Sequence, residues 1–251
     1  MIMNIFKSWL VDKLIANKGI FDNVKVPENT LPSFEKAINQ NYAISFSVQV
    51  IGDGTVVVFS DSQLSRLTKK DGYLHNLTAS DLPNTHLLNT DYTIPTLNEV
   101  LTLVNNRTPL LIEIVSSTKN VGKDEQRIYN ILKNYNGEYA IQSRNPYTLE
   151  WFKKNAPNIY RGYVDIPRSK QKEDSRYSIK LPSSSYTIAT VAAPHFGSFD
   201  IEKLSSLKAK LFTHHHKPII CICALACSQR AYQQAFSKSD NVIFEKTLPQ
   251  I

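Results

Sequence analysis

The stretch Ala43–Asp61, AISFSVQVIGDGTVVVFSD, predicts two β-strands, Ala43–Val50 and Thr55–Ser60, joined by a Gly-Asp-Gly turn. Apolar and β-branched residues fill both runs, and glycine supplies the backbone freedom that a tight connection requires. Side chains alternate between the two faces of a strand, so Ser45 and Ser47 share one face while Phe46 and Val48 take the other. Ser60 and Asp61 close the second strand where the chain leaves it. Small hydroxyls therefore stand at the strand ends, where a barrel enzyme places its reacting groups.

Upstream, Leu14–Gly19 (LIANKG) predicts a short buried strand. In PENTLPSFEKAINQNY, Asn29 or Thr30 can cap a helix that has Pro32 in its first turn. Ile5, Trp9 and Leu10 fall at helical spacing, which makes Met1–Leu14 an amphipathic segment suited to plug a barrel floor. Its acid at Asp12 and the want of a small-residue cleavage site argue against a signal peptide. Downstream, Asp61–Asp91 is a long polar segment with a short capped helix at LTASDL. TLNEVLTLVNN predicts an amphipathic helix with Leu97, Val100, Leu101 and Val104 on one side, and PLLIEIV a strongly apolar strand holding Glu113.

A helix over Asp124–Tyr135, the strand YAIQS and a helix opened by NPYTLEWFKKN follow, then a short strand at Arg161–Val164. Ile166–Ser185, rich in charges and serines, predicts a mobile loop or small lid. YTIATVAAPHF predicts strand, DIEKLSSLKAKLF helix, KPIICICAL strand, SQRAYQQAFSKS helix and NVIFEK a closing strand. Strand and helix alternate nearly throughout, which implies a parallel sheet with helical crossovers. The expectation is an α/β chain forming one closed (β/α)8 barrel domain over residues 1–251, with an open doubly wound sheet as the alternative. Nine strand candidates compete for eight places, RGYV and TIATVAAPHF being the weakest.

The composition narrows the function. Hydrophobic residues make up 42% of the 251 residues and charged residues 20%, enough for a core and unlike a disordered chain. No run approaches the roughly 18 apolar residues of a membrane span. The formal charge of +7 comes from scattered lysines rather than a stripe, so it favours anionic partners without indicating a nucleic-acid groove. Eight glycines leave no phosphate loop of the P-loop or dinucleotide kind. Cys221, Cys223 and Cys227 do not make a disulfide framework and suit reduced thiols in a cytoplasmic protein.

In order, the segments resemble the glycerophosphodiester phosphodiesterases along almost the whole chain. That family shows a strand ending His-Arg-Gly, then Glu-Asn-Thr, a Glu-x-Asp strand and an Asp-Gly turn. A strand ending His-Asp, an Ile-Pro-Thr-Leu-x-Glu helix entry and a strand Ile-Glu-Ile-Lys follow. The matching stretches here are Asn17-Lys18-Gly19, Glu28-Asn29-Thr30, Ser45-Phe46-Ser47, Asp53-Gly54, Ser60-Asp61, Ile94-Pro95-Thr96-Leu97-Asn98-Glu99 and Ile112-Glu113-Ile114-Val115. The run Ala140–Ser143 and the closing Asp240–Glu245 look like the family's later strands.

The resemblance implies a TIM barrel and, for the family, cleavage of glycerophosphodiesters with a bound Mg²⁺ or Ca²⁺ and two histidines. It puts the histidines at Asn17 and Ser60 and the phosphate-contacting arginine at Lys18. Two of the metal carboxylates fall at Ser45 and Ser47, and the third is kept as Glu113, whose neighbouring lysine is Val115. The strand that walls the family's glycerol site falls near Ile222-Cys223-Ala224. A hard cation draws most of its affinity from carboxylates, so no bound cofactor is expected here. Asn17 and Ser60 do not titrate near neutral pH, and losing each histidine costs on the order of 10²–10⁴ in rate.

The expected function is thus that of a non-catalytic relative binding a small phosphorylated or anionic ligand through Lys18. The alternative is a phosphoric diester hydrolase with a weakened or rebuilt site. For the rebuilt case, Ser45, Ser47 or Ser60 can pair with Lys18, though nothing in the spacing demands it, and His195 can serve as a substitute base, against its plainer reading as a rim or packed histidine. His214-His215-His216 reads as a solvated turn, His75 and His86 as loop residues, and the cysteines as core packing. Trp151 and Phe152 are expected to pack on the barrel, and Glu28 and Asp61 to brace loops.

Overall fold

The computed structural model describes residues 5–116, 118–165, 188–215, 217–223 and 229–245. Its strands are β1 (Ile15–Asn17), β2 (Ala43–Val50), β3 (Val56–Val58), β4 (Leu110–Ile114), β5 (Tyr139–Ser143), β6 (Tyr160–Asp165), β7 (Phe196–Asp200), β8 (Ile219–Cys223) and β9 (Asn241–Phe244). β1 pairs in parallel with both β2 and β9, and this closes a barrel of β1, β2 and β4 to β9. β3 runs antiparallel to β2 and stands outside the ring, so the surplus strand is half of the opening hairpin. RGYV is a true barrel strand, paired on both sides. The helices are α1 (Trp9–Asp12), α2 (Leu31–Asn39), α3 (Leu97–Val104), α4 (Lys123–Leu132), α5 (Pro146–Asn155), α6 (Leu207–His214) and α7 (Gln229–Lys238). Among the described residues no helix is long and apolar enough to cross a membrane.

One predicted strand is displaced. Within TIATVAAPHF, Ile188–Ala192 is a wide helical turn, and β7 begins only at Phe196 and runs through FGSFD. The predicted helix over DIEKLSSLKAKLF correspondingly shrinks to a single 3-10 turn at Ile201–Lys203 and α6. The predicted lid over Ile166–Ser185 lies outside the described residues.

Alternation along β2 divides the two cores as the serine spacing implies. Ile44, Phe46 and Val48 face the helical layer with Phe34, Leu97 and Ile112, while Ala43 joins the barrel interior. The floor of that interior is Ile15, Ala43, Leu111, Ala140, Val164, Phe196 and Ile243, sealed from below by Leu10. Leu10 is fully buried with Ile5 and Trp9 beside it, so the N-terminal plug is present, built from a 3-10 turn at Ile5–Lys7 and α1. Truncating this stopper leaves a void that the rigid strand ring cannot fill. Leu10→Ala is expected to cost about 2–5 kcal/mol, read as a lower urea midpoint at unchanged slope.

The polar stretch after β3 has a core of its own. Leu64, Leu67, Leu74, Leu77, Leu82 and Leu87 pack against Ile51, Val57, Phe59 and Ile94. β3 serves both cores, with Val56 and Val58 turned to the barrel layer and Val57 to this cap. These leucines are scattered among polar residues without helix or strand period, so the segment reads as polar although it folds.

Candidate functional site

Barrel register brings the candidate residues together. β1 sets Asn17 beside Ser45, and β4 sets Glu113 beside Ser47. All four therefore face the interior above the apolar floor, at the strand ends opposite the plug. The same layer holds Gln142 and Ser198, joined by a 2.7 Å hydrogen bond from Ser198 Oγ to Gln142 Oε1.

Ser60, Ser47 and Glu113 form a chain of hydrogen bonds. Asn29 Nδ2 donates to Ser60 Oγ at 2.8 Å, Ser60 Oγ to Ser47 Oγ at 3.3 Å, and Ser47 Oγ to Glu113 Oε2 at 3.3 Å. Gln49 holds the exit of β3 in place, its Nε2 donating at 2.9 Å to the carbonyls of Phe59 and Asp61. Ser47, Ser60 and Glu113 thus come together, while Ser45 lies one layer down, almost fully buried.

Asn17 and Lys18 belong to a second, ionic arrangement. Asn17 Nδ2 donates to Glu245 Oε2 at 2.8 Å. Lys18 Nζ lies 3.1 Å from Glu28 Oε1 and 3.7 Å from Glu245 Oε2. Lys18 has a left-handed backbone (φ 61°), with its N–H on the Ser45 carbonyl and its carbonyl accepting from the Asn29 N–H. The next residue must be glycine. At φ 78°, a Cβ on Gly19 would stand 2.6 Å from the Ser33 backbone at the start of α2.

Glu28 is the hub of this arrangement. Arg66 grips it with two parallel bonds, Nη1 to Oε2 at 2.9 Å and Nη2 to Oε1 at 2.6 Å, and Asn23 Nδ2 adds a third at 3.0 Å. The Arg66 Nε donates to Asp61. Burial alone would raise the Glu28 carboxyl, but Arg66, Lys18 and Asn23 outweigh it and hold it down at about 2. Glu28 and Asp61 do brace loops, as expected. Arg66 and Asn23 carry no signal in the sequence, while Asn29 enters there as a helix cap and in Glu28-Asn29-Thr30, and Glu245 as the end of the closing strand. Only Glu245 had a usable signal for its place here, because closing the barrel must bring the end of the last strand beside the end of the first.

The other candidates fall away from the mouth. His195 precedes β7, at the floor end, and is no substitute base. His214 and His215 are exposed at the end of α6, with rings 5.3 Å apart, and His216 lies outside the described residues. His75 stacks on Tyr73 in the cap. Phe152 is buried, with the Trp151 ring packed edge-on at 5.0 Å. Cys221 and Cys223 lie in β8, but their side chains and all of Cys227 lie outside the described residues.

The donor set does not fit a hard divalent cation. Such an ion takes six or more oxygen ligands with carboxylates supplying the charge, and Glu113 brings the carboxylate to a site otherwise made of hydroxyls and an amide. Glu245 is engaged with Asn17 and Lys18. Among the described residues no group of three His, Cys, Asp or Glu side chains could hold a metal. What the arrangement offers chemically is hydrogen bonding and two cations, Lys18 and Arg66, beside acids.

The model of the glycerophosphoryl diester phosphodiesterase family matches residues 21–197. A glycerophosphodiester phosphodiesterase from Caldanaerobacter subterraneus subsp. tengcongensis is 31% identical over 161 residues, 60% of this chain and 65% of that protein. One from Bacillus altitudinis is 34% identical over 109 residues, 41% of this chain and 44% of its own length. The chain thus spans less than two thirds of either relative. Among solved structures, a phosphodiesterase from Oleispira antarctica in complex with the product sn-glycerol-3-phosphate superposes with a TM-score of 0.76 at 19% identity, covering 93% of this chain and 92% of that one. The glycerophosphodiester phosphodiesterase from Thermotoga maritima gives 0.66 at 21% identity, covering 92% and 93%.

Proposed function

This chain belongs to the glycerophosphoryl diester phosphodiesterase family, and from that premise we propose that it is a non-catalytic member that binds a small phosphorylated ligand at the barrel mouth. The observation that carries the reading is the run Asn29–Ser60–Ser47–Glu113, in which hydroxyls and an amide hydrogen-bond to one another around a single acid. A general acid or base must exchange protons near the working pH. Neither Asn17 nor Ser60 does so, and the cation that would stabilise charge on phosphorus lacks its acids. Lys18 and Arg66 remain as cations at the mouth and supply the attraction for a phosphate. The product complex of the Oleispira structure supports a phosphorylated ligand of that size.

Lys18 is already shared between Glu28 and Glu245. A phosphate must compete with these carboxylates, so binding is expected to be weak and to weaken with salt. The reading extends to one domain over residues 1–251 in a cytoplasmic setting, beside the turnover of lipid headgroups.

The test pairs turnover with binding. Glycerophosphodiesters and an aryl phosphodiester are incubated with Mg²⁺, with Ca²⁺ and with chelator, and melting is followed against sn-glycerol-3-phosphate. No hydrolysis is expected, together with a ligand-dependent rise in Tm that Lys18→Met weakens about tenfold in ligand concentration. Cation-dependent turnover that Glu113→Ala abolishes would instead make the chain an active diesterase and sink the proposal.

A further inference from the structure

The floor end of the barrel carries a second cluster of chemistry, at the starts of β6 and β7. Arg161, second residue of β6, is 5% exposed. Its Nη1 donates to the carbonyls of Pro157 at 3.2 Å and Ile159 at 2.9 Å. His195 accepts the Arg161 backbone N–H on Nδ1 at 3.1 Å, and the His195 backbone N–H donates to the Arg161 carbonyl at 2.7 Å. A ring nitrogen that accepts a hydrogen bond carries no proton, so the imidazole hydrogen sits on Nε2.

That Nε2–H faces Arg161 Nη2 at 3.4 Å, and a guanidinium nitrogen can only donate. Beside it, Arg161 Nε is buried with no hydrogen-bond partner among the described residues. With the ring hydrogen on Nε2, Nη2 and Nε2 present N–H groups to each other, next to a buried Nε that lacks an acceptor among the described residues, which is costly for buried polar groups.

Lys217 adds a further cation. It is half-buried, with Nζ donating to the Pro194 carbonyl at 2.6 Å and lying 6.0 Å from the Phe212 ring. Burial, Arg161 and Lys217 together push the His195 imidazole down to about 4. Burial and Arg161 push Lys217 down as well. Among the described residues no carboxylate acts on Arg161, His195 or Lys217 to offset this. Mutually repelling groups with a buried donor left over fit a ligand that is anionic and rich in acceptors.

We infer that Arg161, His195 and Lys217 form a binding site for a small oxyanion, of the phosphate or carboxylate class, at the end of the barrel opposite Lys18. Its oxygens accept from Arg161 Nε and Nη2 and from His195 Nε2–H, and Lys217 supplies further positive charge. Because the half-buried His195 and Lys217 open the cluster toward solvent, the ion enters without unfolding the strands.

The experiment uses the full chain carrying Lys18→Met, so that an anion at the mouth does not contribute. Inorganic phosphate and acetate are titrated in turn against sodium chloride of matched ionic strength. The readouts are melting temperature and the imidazole nitrogen resonances of His195. Expected is a saturating rise in Tm with phosphate, acetate or both, with the His195 Nε2 signal moving at the same midpoint. Adding Lys217→Met is expected to weaken that midpoint about tenfold, the scale of one charge-assisted contact. Lys217 is half-exposed, so this variant spares the buried Arg161, whose removal would endanger folding. A His195 signal unmoved by either oxyanion, or moved equally by chloride, would overturn the inference. So would a midpoint indifferent to Lys217→Met. None of these outcomes depends on whether the mouth binds a phosphorylated ligand.

Discussion

Four substitutions made together, Asn17→His, Ser45→Glu, Ser47→Asp and Ser60→His, are expected to give a diesterase that needs Mg²⁺ or Ca²⁺. Its rate on a glycerophosphodiester should exceed that of the parent chain by about 10⁴ or more, since two proton carriers contribute 10²–10⁴ each and a bound cation adds several kcal/mol of charge stabilisation. The expectation rests on register. Position 17 lies beside 45, and position 47 beside Glu113, so restored acids would face the one that remains across adjacent strands. Ser60 Oγ is 3.3 Å from Ser47 Oγ, which puts an imidazole at 60 over the restored acid at 47.

Partial restorations separate the contributions. The two acids alone should bring cation binding, measurable by calorimetry, without turnover. The two histidines alone should bring neither. Full restoration with cation binding but no hydrolysis would mean that the mouth has changed in shape as well as in chemistry. Absence of cation binding would mean that the strands no longer aim these positions at a common point.

The barrel and the serine positions were legible because strand alternation and parallel register are local properties repeated along the chain. Once β2 is read as AISFSVQV, its serines must share a face, and a parallel neighbour holding Glu113 must bring that acid alongside. The Glu28–Arg66 clamp was not legible. Its partners are 38 residues apart, one in a loop after β1 and the other in the cap, and no periodicity marks a polar pair across such a gap. β7 was hidden for a different reason. Gly197 and Ser198 make FGSFD look like a loop, yet small residues are what this place requires. A Cβ at Gly197 would stand 2.4 Å from the Phe199 ring, and one at Gly162 in the adjoining strand 2.2 Å from Phe196. Aromatic rings fill the space that side chains on the glycines would occupy, so tertiary packing overrides the weak local strand signal.

Removing the hub of the mouth should be the most damaging single polar change. Glu28→Gln leaves Lys18 and Arg66 facing each other without the carboxylate that joins them. Breaking a buried pair from one side costs about 3–5 kcal/mol; because Arg66 is partly exposed and can turn to solvent, the lower end is expected, about 3 kcal/mol in urea denaturation at pH 7. Acid titration distinguishes this from a packing defect. The Glu28 carboxyl is held at about 2 in the folded chain against 4.5 for the free group. A depressed folded value means that the unfolded chain takes up the extra proton. The stabilisation is therefore fully present above pH 4.5 and is lost as pH falls toward 2. In Glu28→Gln the stability-against-pH curve should flatten across that window while keeping any slope above it, where His195 contributes between 6.5 and about 4. Arg66→Met should produce much of the same flattening, and the two changes combined should cost less than their sum, since both remove one contact. An unchanged acid slope in Glu28→Gln would show that the clamp does not order the mouth, and Lys18 would then owe its position to its left-handed backbone, the Ser45 carbonyl and Glu245.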